Sequence, residues 1–102
     1  MSNKMDMNTI EQTEEFEQWL DHLTDDKARK AIVREIVKME GGLFGDVEHI
    51  DGKVWEARIH YGPGYRVYYM RTGNTVYLLL SGGTKKRQQA DIEKAKELAA
   101  GI

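Results

Sequence analysis

Two turn triplets, Gly62-Pro63-Gly64 and Thr72-Gly73-Asn74, cut the middle of the chain into three short stretches, and this punctuation constrains the fold most. Glycine enters left-handed backbone cheaply, and proline locks φ and lacks a donor, so both interrupt regular structure. Val54 to His60 carries Trp55, Ala57 and Ile59 in alternation, Tyr65 to Arg71 is rich in Tyr and Val, and Thr75 to Ser81 is nearly all apolar. Alternation marks a half-buried strand, and a continuous apolar run marks a central strand covered on both faces. Turns this short join antiparallel neighbours, so the three stretches predict a meander, which Gly82-Gly83 is expected to end.

Upstream the apolar period changes from two to 3.6. Thr13 stands before Glu14 and Glu15 as an N-cap followed by first-turn acids, and Phe16, Trp19, Leu20 and Leu23 recur as one stripe. Thr24-Asp25-Asp26 breaks that helix and caps the next, whose stripe is Ala28, Ile32, Ile36 and Met39. Lys27, Arg29, Lys30, Arg34 and Lys38 fall mostly outside the stripe and read as a solvated face. Gly41-Gly42 stops this second helix. Leu43 to Lys53 reads as a loop, Met7 to Gln12 as a short edge strand, and Met1 to Asp6 as a loosely held polar start. A last helix runs from about Lys86 to Ala100, with Ile92, Ala95, Leu98 and Ala99 on one face. The order predicts an α+β sandwich: a helical hairpin on one face of an antiparallel sheet, then a C-terminal helix.

At 102 residues the expectation is a single domain spanning 1–102. With 40% apolar and 31% charged residues the chain has enough apolar surface to fold and is not compositionally disordered. It has no cysteine, which excludes disulfides, thiol nucleophiles and thiolate metal sites. No apolar run approaches the roughly 20 residues of a membrane span, so a cytoplasmic location without membrane contact is expected. Asp91, Glu93 and His22 show no ligand spacing, and Gly62-Pro63-Gly64 lacks both the spacing and the following helix of a phosphate loop. No metal and no small-molecule cofactor is therefore expected.

Charge is distributed unevenly. Fourteen of the 17 carboxylates precede Ala57, and none lies between Ala57 and Ala90, where Arg58, Arg66, Arg71, Lys85, Lys86 and Arg87 are found. A segment of that kind predicts a local electropositive surface able to attract phosphates, although the net charge is −2. Strand parity sorts the side chains: Trp55, Ala57, Ile59, Tyr65, Val67 and Tyr69 on one face, Glu56, Arg58, His60, Arg66, Tyr68 and Met70 on the other. With the helical hairpin on the first face, the second is expected to lie uncovered, with Lys85, Lys86 and Arg87 entering from the strand end. Cations there suit an RNA backbone, and an aromatic ring suits a base. Attack of a 2′-hydroxyl on its neighbouring phosphate needs a base, an acid and cations on the developing charge. Arg66 and Lys85 fit the cationic part, and Glu56, His60 or Lys53 the proton transfer. Lys53, Tyr68, Arg71, Lys86 and Arg87 are candidates for RNA contact.

The block Arg58-Ile59-His60-Tyr61-Gly62-Pro63-Gly64-Tyr65-Arg66-Val67-Tyr68 closely resembles the HigB-type "addiction module killer" toxins of the RelE/ParE superfamily, the phage-derived Gp49-like family. Leu78 to Lys85, Asp91 to Ala95, Thr13 to Leu23 and Phe44 to Val47 share the resemblance. It implies a RelE-like fold and the toxin half of a type II toxin–antitoxin pair, acting as a ribosome-dependent mRNA endonuclease. The implied partners are a small helix-turn-helix antitoxin from the adjacent gene, the ribosome and mRNA. It also implies that Arg66, Arg58 and Lys85 bind phosphate and stabilise the transition state. One departure stands out. Where many RelE-type nucleases carry an aromatic or histidine acid/base, this chain has Gln88-Gln89-Ala90-Asp91. Either Glu56, His60 or Asp91 transfers the proton, or the ribosome supplies part of the chemistry, or the chain is no nuclease. ParE members of the superfamily poison DNA gyrase, and an antitoxin-binding module with little activity is a further alternative.

Overall fold

A computed structural model describes residues 7–102; Met1 to Asp6, expected to be loosely held, lie outside the described residues. The elements run β1 (Thr9–Gln12), α1 (Glu14–Asp21), α2 (Asp26–Glu40), β2 (Asp46–Asp51), β3 (Val54–Ile59), β4 (Tyr65–Arg71), β5 (Val76–Thr84) and α3 (Gln88–Ala100), with a 3-10 turn at Lys85–Arg87. Five strands form one sheet in the order β1-β5-β4-β3-β2, parallel between β1 and β5 and antiparallel elsewhere. The α+β class and element order agree with the sequence reading.

Local chemistry explains the start. Thr13 Oγ1 accepts from the Phe16 N–H at 3.0 Å and donates to the Leu80 carbonyl at 2.6 Å, so one hydroxyl caps α1 and ties it to β5. Asp25 caps α2 by accepting from the amides of Lys27 and Ala28. At the other end of α2, Asn8 donates through its side chain to the Met39 carbonyl and through its backbone to Glu40, closing orphan carbonyls while aligning β1. Phe16, Ala28, Ile32, Ile36 and Met39 then bury against Ala57, Ile59, Val67, Tyr69 and Leu79. Each large side chain so buried contributes on the order of 1.5–3 kcal/mol.

Three expectations need correction. The loop assigned to Leu43–Lys53 contains β2, antiparallel to β3 with Asp46 opposite Arg58 and His49 opposite Trp55. Its two apolar side chains, Val47 and Ile50, join the cores on opposite faces of the sheet, and a register shift falls between His49 and Asp51. An edge strand built that way has no alternation to read. Gly82-Gly83 does not end the sheet; the pair lies inside β5 opposite Val67 and Arg66. A Cβ on Gly82 would strike the indole of Trp19, and one on Gly83 the carboxylate of Asp91. These glycines record close approaches on the two faces, not a turn.

The third correction concerns the second face, which is not uncovered. α3 lies across it and forms a second core from Ala95 with Val54, Tyr68, Met70 and Leu80. Lys96 Nζ, 3.0 Å from Asp51 Oδ2, anchors its C-terminal half to the β2–β3 turn. Its N-terminal turn stands over Gly83, the register partner of Arg66, and brings Gln88 to Glu56.

Candidate functional site

The Gly62-Pro63-Gly64 turn joins β3 to β4 with both glycines at positive φ, 58° and 88°, a geometry that other residues adopt only under strain. It forms one wall of a cleft of about 390 Å³ whose polar lining includes Arg58, His60, Arg66 and Lys85. Arg58 and Arg66 are register partners on β3 and β4, so neighbouring strands present two guanidiniums side by side. Lys85 arrives from the first position after β5.

Glu56 is the hinge of this arrangement. It has no solvent exposure, and each of its oxygens faces a guanidinium. Arg58 Nε donates to Oε2 at 2.9 Å, and Arg66 Nε lies 3.2 Å from Oε1, an ion pair whose N–H is not aligned as a hydrogen bond. Gln88 Nε2 approaches Oε1 at 3.4 Å from α3. A buried carboxylate is costly unless paired, and Glu56 draws both guanidiniums toward it, Arg58 by a hydrogen bond and Arg66 by charge. The two arginines fare differently beyond it. Arg58 is held further by Asp46, at 3.2 Å, and by Glu48, both from β2. Arg66 pairs with no carboxylate besides Glu56 among the described residues, and Lys85 pairs with none. Lys85 is therefore the exposed cation of the cleft without a carboxylate among the described residues, and Arg66 has only the buried Glu56.

His60 stands exposed at the rim, with Nε2 2.7 Å from Asp46 Oδ2. The hydrogen bond from His60, helped by the charges of Arg58 and His60, holds the Asp46 carboxyl below its usual range against an opposing desolvation. The pair fixes the ring through one nitrogen and leaves the other open, the arrangement of an oriented acid/base. Tyr68 is buried beside Glu56, and burial first, then Glu56 and Asp91, push its hydroxyl well above the ordinary phenol range. Burial also raises the Asp91 carboxyl, with Arg87 opposing. Among the described residues no three His, Asp or Glu side chains gather as a metal site requires, and no helix is long and apolar enough to cross a membrane.

Residues 18–100 match the family described as "Phage derived protein Gp49-like (DUF891)". The chain belongs to the Gp49-like family. An uncharacterized protein of Haemophilus influenzae is 38% identical over 90 residues, which span 88% of this chain and 91% of that relative. The Gp49-like family is a RelE-like toxin family, and the five-stranded sheet and three helices of this chain are consistent with a RelE-like α+β fold.

In this Gp49-like chain the structure gathers Arg58, His60, Arg66 and Lys85 around one cleft and sets Glu56 beneath them. It does not bring the other candidates there. Tyr68 lies under α3, where no base can stack on it. Lys53 sits in the β2–β3 turn, and Arg71 closes the β4–β5 turn by donating to the carbonyls of Gly73 and Asn74, both at the far end of the sheet. Lys86 and Arg87 are exposed on the 3-10 turn behind Lys85, outside the cleft lining. Sequence reasoning missed Asp46 and Glu48 because it read their strand as a loop, and with them the neutralisation of Arg58. It also missed Tyr61, a half-buried ring in the cleft wall whose hydroxyl is raised by burial and then by Asp25 and Tyr65. Tyr61 follows the last strand residue, where parity no longer assigns a face.

Proposed function

We propose that this Gp49-like protein is a HigB-type toxin of a type II toxin–antitoxin pair, acting as an mRNA endonuclease on the ribosome and silenced by a small antitoxin. The carrying observation is the convergence of Arg58, His60, Arg66 and Lys85 on one cleft, with Lys85 unpaired among the described residues and Arg66 paired only with the buried Glu56. In this reading the RNA supplies its own nucleophile. The 2′-oxygen forms a bond to the adjacent phosphorus, the P–O5′ bond breaks, and the products are a 2′,3′-cyclic phosphate and a 5′-hydroxyl. The 2′-hydroxyl proton passes to a base and the O5′ leaving group takes one from an acid; His60, oriented by Asp46, is the group placed for one of these transfers. Arg66 and Lys85 face the charge that develops on the phosphate. His60 then fills the role left vacant by Gln88-Gln89-Ala90-Asp91.

Inducing the chain alone in bacteria tests this. Growth should stop, co-expression of the neighbouring antitoxin gene should restore it, and primer extension should show new transcript ends that depend on translation. Intact transcripts together with loss of DNA supercoiling would assign the protein to gyrase instead. Unimpeded growth with verified soluble protein would remove the toxin reading.

A further inference from the structure

The helical hairpin leaves part of its own face of the sheet bare. Strand parity puts Trp55 and Tyr69 on that face, yet α2 ends at Glu40, and the core beneath the hairpin takes in Ala57, Ile59, Val67 and Tyr69 without Trp55. Trp55 stays 38% exposed. It is the register partner of Tyr69, and Arg71, two residues further along β4, is the partner of Tyr77, so neighbouring rows of the sheet set these four side chains together. Phe44, on the return from α2, closes on Tyr69 and Tyr77 with ring centroids 5.9 and 5.1 Å away. With Val47 of β2 they line a cleft of about 330 Å³, which shares no residue with the cleft of Arg66 and Lys85.

Its lining decides what it takes. Arg71 is the one charged side chain there, and no carboxylate lines the cleft. Arg71 is fixed by the carbonyls of Gly73 and Asn74 and forms no ion pair among the described residues. Phe44, Tyr69 and Tyr77 meet at interplanar angles of 31°, 55° and 62°, so they form a cup rather than a flat platform. A nucleic-acid strand uses flat ring faces beside a run of cations, and here a single cation stands beside tilted rings. Trp, Tyr and Arg around a small apolar pocket are instead the residues that anchor one protein on another.

We infer that this cleft is where the antitoxin docks, by one aromatic or branched aliphatic side chain from a segment that carries a carboxylate beside it for Arg71. This rests on the toxin–antitoxin reading above and adds where, and by what chemistry, the partner is held. The apolar side chain fills the cup, and its neighbours then lie within reach of the fixed guanidinium, where an acid makes a charge-assisted hydrogen bond and a base is repelled. Docking and toxicity thus rest on different residues and separate by mutation.

The test is titration calorimetry of the purified antitoxin from the neighbouring gene against the parent, Trp55→Ala, Arg71→Glu and Arg71→Lys, with growth assays of each pair. Trp55→Ala should weaken binding about 30-fold, as loss of an anchoring side chain does. Arg71→Glu should weaken it further than Arg71→Lys, which gives up the same turn contacts but keeps the charge. Trp55→Ala and Arg71→Glu should still arrest growth when induced alone and should no longer be rescued by the antitoxin. Parent-like affinity and rescue in both folded variants would overturn the docking site and leave the toxin reading standing. A parent that neither arrests growth nor binds the antitoxin would remove both. Antitoxin binding that survives while single-stranded RNA binding is lost would give the cleft to RNA, and a parent dimer that Trp55→Ala dissociates in sedimentation would give it to a second copy of the chain; either result overturns the inference.

Discussion

Gly82 and Gly83 are adjacent, yet they answer to opposite faces of the molecule. Gly82 lies under the Trp19 indole, which is wedged between Phe16 and Tyr65 with ring centroids 5.7 and 6.4 Å away. A methyl group there cannot be absorbed by one rotamer change, because the indole is packed on both sides. Gly82→Ala should therefore destabilise the protein by about 1–3 kcal/mol, as overpacked cores do, measured by denaturant unfolding. The atoms nearest a Cβ on Gly83 are those of the Asp91 carboxyl, the end of a side chain that can turn away. Gly83→Ala should cost clearly less stability than Gly82→Ala. Equal losses would show that the two contacts are not distinguished by the rigidity of what they touch.

At the scale of elements, α3 decides how much of the sheet remains open. It is a weakly amphipathic helix that buries Ala95 and brings Asp91 and Gln88 over the polar end of β4 and β5. Desolvation raises the pKa of Asp91, so its folded-state carboxyl takes up a proton more readily than the unfolded chain's, whose ordinary value is 3.8. Stability linked to this group is thus full below about that pH and declines as pH rises through the folded-state value. Asp91→Asn should raise Tm at neutral pH, and the gain should shrink to nothing as the pH is brought to 3.8 and below. A gain that persists undiminished in acid would mean that the Asp91 charge is not its cause. The opposite end of α3 is bound by Lys96 to Asp51, whose carboxyl is lowered chiefly by that hydrogen bond.

For the molecule as a whole, the two ends of the sheet do different work. The β3–β4 turn, Lys85 and the start of α3 gather at one end, while Lys53, Arg71 and the β2–β3 turn occupy the other. Arg66→Ala and Lys85→Ala should each reduce cleavage about 10²–10³-fold, the usual effect of removing a group that stabilises developing transition-state charge, and so abolish growth arrest. Lys53→Ala and Arg71→Ala should leave growth arrest near that of the parent. Toxicity lost through Lys53→Ala or Arg71→Ala in a folded protein would place the working surface at the other end of the sheet.

The sequence by itself determined the two stripes that lay α1 and α2 on the sheet, the caps at Thr13 and Asp25, the three strands of the meander and the side of β3 and β4 on which Arg58 and Arg66 stand. Those are local properties: a period, a capping oxygen or strand parity is complete within a few residues. Tertiary structure alone decided the fate of the predicted basic surface. Asp46 pairs with Arg58 and His60 from positions 12 and 14 residues earlier in the chain, on a strand whose apolar side chains give no period. α3 covers Tyr68, and Glu56 draws two guanidiniums inward. Charge counted along a chain records no pairing across strands. Only packing brings three carboxylates to Arg58, one to Arg66 and, among the described residues, none to Lys85.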